Sequence, residues 1–287
     1  MPSSRRPTRL DAQHAAGLHA TGRSAVPDHD LTLIIPAYNE EGRLPATLHG
    51  VRDFLEPSGL DYRVLVVDDG SRDRTCELAR PFGRRFSTLR LPGQRGKGCA
   101  VRSGVLQSTG RVVAFTDADL PYDLSALQNA YRLIDSGGCD VVFGGRDVTG
   151  SVDHVPRRWS RRAATWVFRE VIRLLVSRDV TDTQCGLKAF SRRAAYDVFS
   201  QVHIDGFAFD VEVVFLVHRL GLRYRRIPVS LVNEYASTLS LSRHALPMLL
   251  DVLKLQFRRN ARRLPVAAVT MEVAPSEIVP QRDKRVA

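Results

Sequence analysis

Five short apolar runs, each broken by polar residues before the next, constrain the fold of this chain more than any other feature. They are Leu31 to Ile35 (LTLII), Tyr62 to Val67 (YRVLVV), Ser87 to Leu91, Arg111 to Thr116 (RVVAFT) and Asp140 to Gly144 (DVVFG). Runs of this length, apolar on both faces, suit strands buried in a parallel sheet. Between them lie segments of helical spacing: Leu44, Leu48, Val51 and Leu55; a turn and helix starting near Asp73; Gly96 to Gln107; and Leu124, Leu127, Tyr131 and Ile134. Strand and helix in alternation predict an α/β domain, a mostly parallel central sheet with helices on both faces.

The second half is less regular. Trp159 to Val176 reads as an amphipathic helix rich in arginine, Val211 to Leu220 as an apolar helix, Tyr224 to Val232 as a strand, and His244 to Arg263 as a last helix, basic toward its end. Residues 1–29 are polar and aperiodic and are expected to be a disordered leader, 30–263 the folded domain, and 264–287 a flexible tail. No internal repeat is visible. No apolar stretch approaches the ~18 residues that span a bilayer, and no apolar signal core stands near Met1.

The net charge of +11 predicts attraction to polyanions, whether nucleic acid, anionic membrane or phosphorylated small molecules. No recognised nucleic-acid motif accompanies it, so nucleic acid is not an expected partner. The cysteines Cys76, Cys99, Cys139 and Cys185 lack CxxC spacing, which argues for reduced thiols in an intracellular protein rather than zinc or disulfides.

The unusual polar residues fall where the strands end, the place at which open α/β sheets bind ligands. Pro36-Ala37-Tyr38-Asn39-Glu40-Glu41 follows the first strand, Asp68-Asp69-Gly70-Ser71 the second, Asp117-Ala118-Asp119 the fourth and Gly145-Arg146 the fifth. Helix capping accounts for any one of these clusters, but hardly for all four in this order. Asp117 and Asp119, one residue apart on an exposed loop, can aim two carboxylates at a hard divalent cation, Mg²⁺ or Mn²⁺. Such an ion neutralises a diphosphate and stabilises it as a leaving group. Asp68 or Asp69 can accept hydrogen bonds from a base or ribose, and Tyr38 can pack beside the base. Gln94-Arg95-Gly96-Lys97-Gly98 adds flexible backbone and a cation, without the spacing of a Walker loop. The first strand carries no GxGxxG, so a nicotinamide or flavin site has little support.

PAYNEE, VVDDGS, GKGCAVRSG, DADL and the later Asp182-Thr183-Gln184-Cys185-Gly186-Leu187-Lys188 resemble the family-2 glycosyltransferases of GT-A fold. The DTQCG stretch is similar to the dolichyl-phosphate β-glucosyltransferase and dolichol-phosphate mannosyltransferase branch, and the likeness covers roughly residues 31–260. The resemblance implies that Pro36, Ala37, Tyr38, Glu40, Val67 and Asp69, with Asp68 beside them, hold the nucleoside. It places Asp117, Ala118 and Asp119 at the diphosphate and metal, Arg146 at the phosphates, Arg161 at the acceptor phosphate and Gln184 near the transferred sugar. Two departures from the mannosyl branch favour glucose: Pro121 stands where that branch often has Gln, and Asn233-Glu234-Tyr235-Ala236-Ser237 replaces a basic segment.

The expected reaction is therefore inverting, metal-dependent transfer of a hexose from a nucleotide sugar, UDP-glucose before GDP-mannose, to a polyprenyl phosphate. A phosphate monoester has a second pKa near ~6, so its oxygen attacks the anomeric carbon without a strong base. The protein must then hold two anions together, which calls for the metal, Arg146, Arg161 and Lys97. A hydroxyl acceptor is the alternative and would make Asp210 the candidate general base, against a plain role capping the helix at Val211. A nucleotide-sugar-binding regulator without turnover is the alternative outside catalysis. The basic segments Arg157, Arg158, Arg161, Arg162 and Arg169, and Lys254, Arg258, Arg259, Arg262 and Arg263, carry apolar faces and suit peripheral association with the cytoplasmic, inner face of a membrane.

Overall fold

The structure, a computed structural model, describes residues 27–153, 185–232 and 270–272. In chain order its elements are β1 (His29–Ala37), α1 (Leu44–Leu55), β2 (Tyr62–Asp68), β3 (Phe86–Arg90), α2 (Lys97–Gln107), β4 (Gly110–Phe115), α3 (Ser125–Asp135), β5 (Val141–Gly145) and β6 (Val152–Asp153), then β7 (Lys188–Ser191), α4 (Arg192–Phe199), α5 (Phe209–Arg219), β8 (Tyr224–Pro228), β9 (Ser230–Leu231) and β10 (Thr270–Glu272).

Eight strands form one sheet in the order β10-β8-β5-β7-β4-β1-β2-β3, and β6 and β9 form a small second one. Only the two pairings of β7, with β4 and with β5, are antiparallel in the large sheet. The two reversals cancel, so the carboxyl ends of β5 and β8 lie on the same edge as those of β1, β2 and β4. The expected mostly parallel GT-A sheet is borne out.

Alternation along each strand builds two cores. Leu31, Leu33 and Ile35 of β1, with Val112 and Ala114 of β4, pack under α1 and α3, while Ile34, Val113 and Phe115 face α2, α4 and α5. The helices were legible because their apolar residues recur at i, i+3 and i+4: α1 buries Leu44, Leu48, Val51 and Leu55, and α3 buries Leu127, Ala130, Tyr131 and Ile134. Helix α2 presses closer to the sheet than a side chain at Gly104 would permit, since a Cβ there would lie 2.8 Å from Ile34 and 2.9 Å from Val67.

Three expectations are corrected. The helix near Asp73 is two short 3₁₀ turns, Arg74–Glu77 and Arg80–Phe82, with Pro81 in the second. A proline there removes a backbone donor and ends any longer helix. Strand β7 and helix α4, four and eight residues long, were not predicted at all. The strand expected over Tyr224 to Val232 divides into β8 and β9. The helices expected over 159–176 and 244–263 lie outside the described residues, as do most of the expected leader and tail.

Candidate functional site

The clusters after β1 and β2 are stitched to each other through their backbones. Asp69 N–H donates to Ala37 C=O at 2.9 Å, Asn39 N–H to Ser71 Oγ at 2.9 Å, Glu40 N–H to Thr75 Oγ1 at 2.9 Å and Glu41 N–H to Asp73 Oδ2 at 3.1 Å. Asn39 takes φ 53°, a left-handed conformation that asparagine tolerates. Tyr38 and Pro36 stay half-buried at the rim, and Ala37 is buried.

The paired aspartates do different work. Asp69 Oδ1 and Oδ2 accept from the N–H groups of Arg95 and Gly96, each at 2.8 Å, and so hold the glycine-rich loop against the end of β2. Asp68 is buried, with Oδ1 on Ser71 N–H at 2.8 Å and Oδ2 3.4 Å from Arg90 Nε. Val67 is also buried, its side chain in the core beneath α2.

The Gln94–Gly98 loop closes on the segment before α5. Gly96, at φ 114°, and Gly98 leave no room for side chains: a Cβ on Gly96 would lie 2.4 Å from Asp205 C=O, and one on Gly98 2.3 Å from Ile204 C=O. Cys99 N–H donates to Asp205 C=O at 3.1 Å. This close approach sets Lys97 at the first position of α2, aimed at the end of β4.

There Lys97 Nζ meets Asp117 Oδ1 at 2.6 Å. Burial alone would push the Lys97 ammonium down, but the carboxylates of Asp117, Asp210 and Asp119 outweigh it and hold the group protonated, above the ordinary lysine range. Burial, and next the Asp117 charge, push the Asp119 carboxyl up. Burial also raises Glu40, against the opposing Arg43, which grips it at 2.7 and 2.9 Å. The Asp117–Leu120 turn is anchored from α1: Thr47 Oγ1 donates to Ala118 C=O. On its far side, Asp123 N–H donates to Ser230 C=O at 3.0 Å and Val232 N–H to Pro121 C=O at 2.9 Å.

Cys185-Gly186-Leu187 threads between the ends of β4 and β5. Gly144 N–H donates to Leu187 C=O at 3.0 Å, and Gly186 lies so close under Asp117 that a Cβ would sit 2.1 Å from Oδ2. Lys188 is buried and donates to Asp210 Oδ1 at 2.6 Å and to Cys185 C=O at 2.7 Å. Asp210 is therefore not the cap of a helix at Val211. Helix α5 starts at Phe209, and Asp210 is an acidic residue of its first turn, engaged by Lys188.

The structure thus brings Asp117, Ala118, Asp119, Lys97, Asp68, Asp69 and the Pro36–Glu40 segment to one edge, with Asp210 behind Lys97. Arg146 stands half-buried just past β5 on the same edge, next to Asp147, which pairs with Arg226. Arg161 and Gln184, expected at the acceptor phosphate and the sugar, lie outside the described residues. Thr47, Arg43, Gly186 and Lys188 were not singled out from the sequence as parts of the site. Only Gly186 and Lys188 carried a signal, as the end of the DTQCGLK motif.

The donor chemistry fits a divalent cation bound together with a diphosphate. Three carboxylates, Asp117, Asp119 and Asp210, face the two ammonium groups of Lys97 and Lys188, leaving negative charge at the loop. Among the described residues no group of three or more His, Cys, Asp or Glu could form a closed cage. An open set of one or two carboxylates, completed by substrate phosphate oxygens, is how Mg²⁺ is usually held.

The glycosyl transferase family 2 model matches residues 32–199. The dolichyl-phosphate beta-glucosyltransferase of Dictyostelium discoideum is 31% identical over 242 residues, covering 79% of this chain and 74% of its own length. That of Drosophila melanogaster is 34% identical over 219 residues, covering 71% and 67%. Among solved structures, the glucosyl-3-phosphoglycerate synthase of Mycobacterium tuberculosis in complex with Mn²⁺, UDP and glucosyl-3-phosphoglycerate superposes with a TM-score of 0.59 at 20% identity, covering 93% of this chain and 88% of that one. The mannosyl-3-phosphoglycerate synthase of Rubrobacter xylanophilus gives 0.61 at 17% identity, covering 83% and 77%. At those identities the structural likeness speaks for the fold.

Proposed function

The chain belongs to glycosyl transferase family 2 and is a glycosyltransferase of GT-A fold, and on that premise we propose that it moves glucose from UDP-glucose to a polyprenyl phosphate. The observation that carries the donor half is the carboxylate loop of Asp117 and Asp119 at the end of β4, facing Lys97 beside the β1 and β2 loops. The acceptor half is supported by the relatives named dolichyl-phosphate beta-glucosyltransferase and by the DTQCG motif, which resembles that branch.

In this reading Tyr38 packs against the base while Asp68 and the Pro36–Glu40 backbone frame the nucleoside. Asp69 acts one step removed, by fixing the Arg95–Gly96 backbone. Asp117 and Asp119 would hold Mg²⁺ or Mn²⁺, which when bound neutralises the diphosphate as it leaves. Lys97, once released from Asp117, and Arg146 supply positive charge to the phosphates. Gln184 and Arg161 are assigned by resemblance to the sugar and the acceptor phosphate. The phosphate oxygen attacks the anomeric carbon from the face opposite the departing diphosphate, so configuration inverts. A dianionic phosphate brings no proton to remove, which leaves Asp210 free to serve as partner of Lys188.

A lipid acceptor is met at a membrane surface. No helix among the described residues is long and apolar enough to cross a bilayer. We assign the contact to the basic segments around Arg157–Arg169 and Lys254–Arg263, on the cytoplasmic side.

The test is transfer of radiolabelled glucose from UDP-glucose, and of mannose from GDP-mannose, to a short polyprenyl phosphate with Mg²⁺ or Mn²⁺. Glucolipid should form with UDP-glucose, disappear with EDTA, and fall at least about a hundredfold in Asp119→Ala. Mannolipid from GDP-mannose would reassign the donor. Turnover onto a free hydroxyl instead would sink the phosphate-acceptor reading.

A further inference from the structure

We propose that Lys97 is a resident cation that occupies Asp117 until a divalent ion and a nucleotide diphosphate displace it together, making their binding strongly coupled. The inference rests on the donor-site reading above and adds an order to it. In the free protein one oxygen of Asp117 carries an ammonium: Oδ1 lies 2.6 Å from Lys97 Nζ, while Oδ2 is packed close to Gly186, where a Cβ would be 2.1 Å away. The two side chains are only 16% and 30% exposed, so water does little to screen the pair.

A divalent ion arriving alone must compete for an oxygen that already carries an ammonium, and must sit beside that ammonium. Of the other carboxylates acting on Lys97, Asp210 already holds Lys188 at 2.6 Å, and Asp119 is itself a ligand that the divalent ion would take. A diphosphate changes the balance. It offers the displaced ammonium new oxygens, at the first residue of α2 where the helix N-terminus also favours an anion. The lysine stem is long and flexible enough to follow. Metal therefore improves diphosphate binding by freeing Lys97, and diphosphate improves metal binding by the same factor, as linkage requires.

The experiment titrates the full chain with Mn²⁺, followed by the paramagnetic resonance of free Mn²⁺, with and without UDP. Wild type, Lys97→Met and Lys97→Arg are compared. In wild type, Mn²⁺ alone binds weakly and UDP tightens it. In Lys97→Met, Mn²⁺ alone should bind about tenfold tighter than in wild type, and the gain from UDP should shrink by about the same factor. Lys97→Arg, which keeps the charge, should keep Mn²⁺ binding weak without UDP. Lys97→Gln replaces the methionine variant if that one fails to fold. Unchanged or weaker Mn²⁺ affinity in the neutral variants, in a protein whose wild type binds both ligands, overturns this inference alone. Wild type that binds neither Mn²⁺ nor UDP overturns the donor-site reading and the inference with it.

Discussion

Gly186 occupies a place where one carbon atom decides the geometry of a carboxylate. A new Cβ forces Asp117 Oδ2 to shift, and with it the carboxylate that meets Lys97 through Oδ1. Gly186→Ala should destabilise the fold by about 1–3 kcal/mol through overpacking, and should weaken Mn²⁺ binding in the presence of UDP. Gly206→Ala is the matched control, since a Cβ there meets nothing within 4 Å. Thermal unfolding and metal titration of the two variants check this, and equal behaviour would refute it. At this scale the residue types were readable in the motifs, but not what they touch. DDG offered Asp68 or Asp69 to a base or ribose, and it took the structure to show that Asp69 also holds the Arg95 and Gly96 amides.

At the scale of elements, Lys188 and Asp210 tie β7 to α5 behind the site. Their side chains are 1% and 5% exposed, so removing either partner strands a buried charge. Lys188→Met or Asp210→Asn should each cost about 3–5 kcal/mol, and the double variant should recover more than half of that loss. Urea denaturation of the three proteins measures it, and simple additivity would show that the pair is not the source. Strand β7 itself escaped the sequence reading for a related reason. Lys-Ala-Phe-Ser places a charged residue at the strand's first position and is only four residues long, so neither apolar run nor alternation marks it. It is a strand because β4 and β5 each offer it an edge.

Across the whole molecule, the sheet is held in register by local apolar packing and by a few ion pairs between distant strands. Asp140, next to β5, accepts from Arg223 N–H at 2.9 Å and from its guanidinium at 3.1 and 3.2 Å, joining the start of β5 to the start of β8. Burial raises this carboxyl, but Arg223 outweighs it and holds the group below the usual carboxylate range. A depressed folded pKa means that the stabilisation is complete above the ordinary aspartate value, near ~4, and fades as pH falls through it and then through the folded value. Asp140→Asn should therefore cost about 1 kcal/mol at neutral pH, because Arg223 is largely exposed. The gap from wild type should narrow steadily below pH ~4. Denaturant midpoints across that range test it, and a gap that widens in acid would contradict it.

By itself the chain's pattern determined the fold class, the sheet edge at which the polar motifs collect and the identity of the acidic and glycine motifs. Those properties follow from short-range rules: apolar runs pair as strands, apolar residues at helical spacing cover them, and polar clusters collect at strand ends. Tertiary structure alone decided which carboxylate meets which cation. Lys97 reaches Asp117 because glycines at 96 and 98 let α2 press on Asp205 and Ile204, and Asp210 turns to Lys188 because β7 is inserted between β4 and β5. Such pairings join residues from 20 to more than 70 positions apart, as Thr47 and Ala118 also do. No periodicity of a linear sequence encodes contacts at that range; they are settled only when the two faces of the sheet are packed.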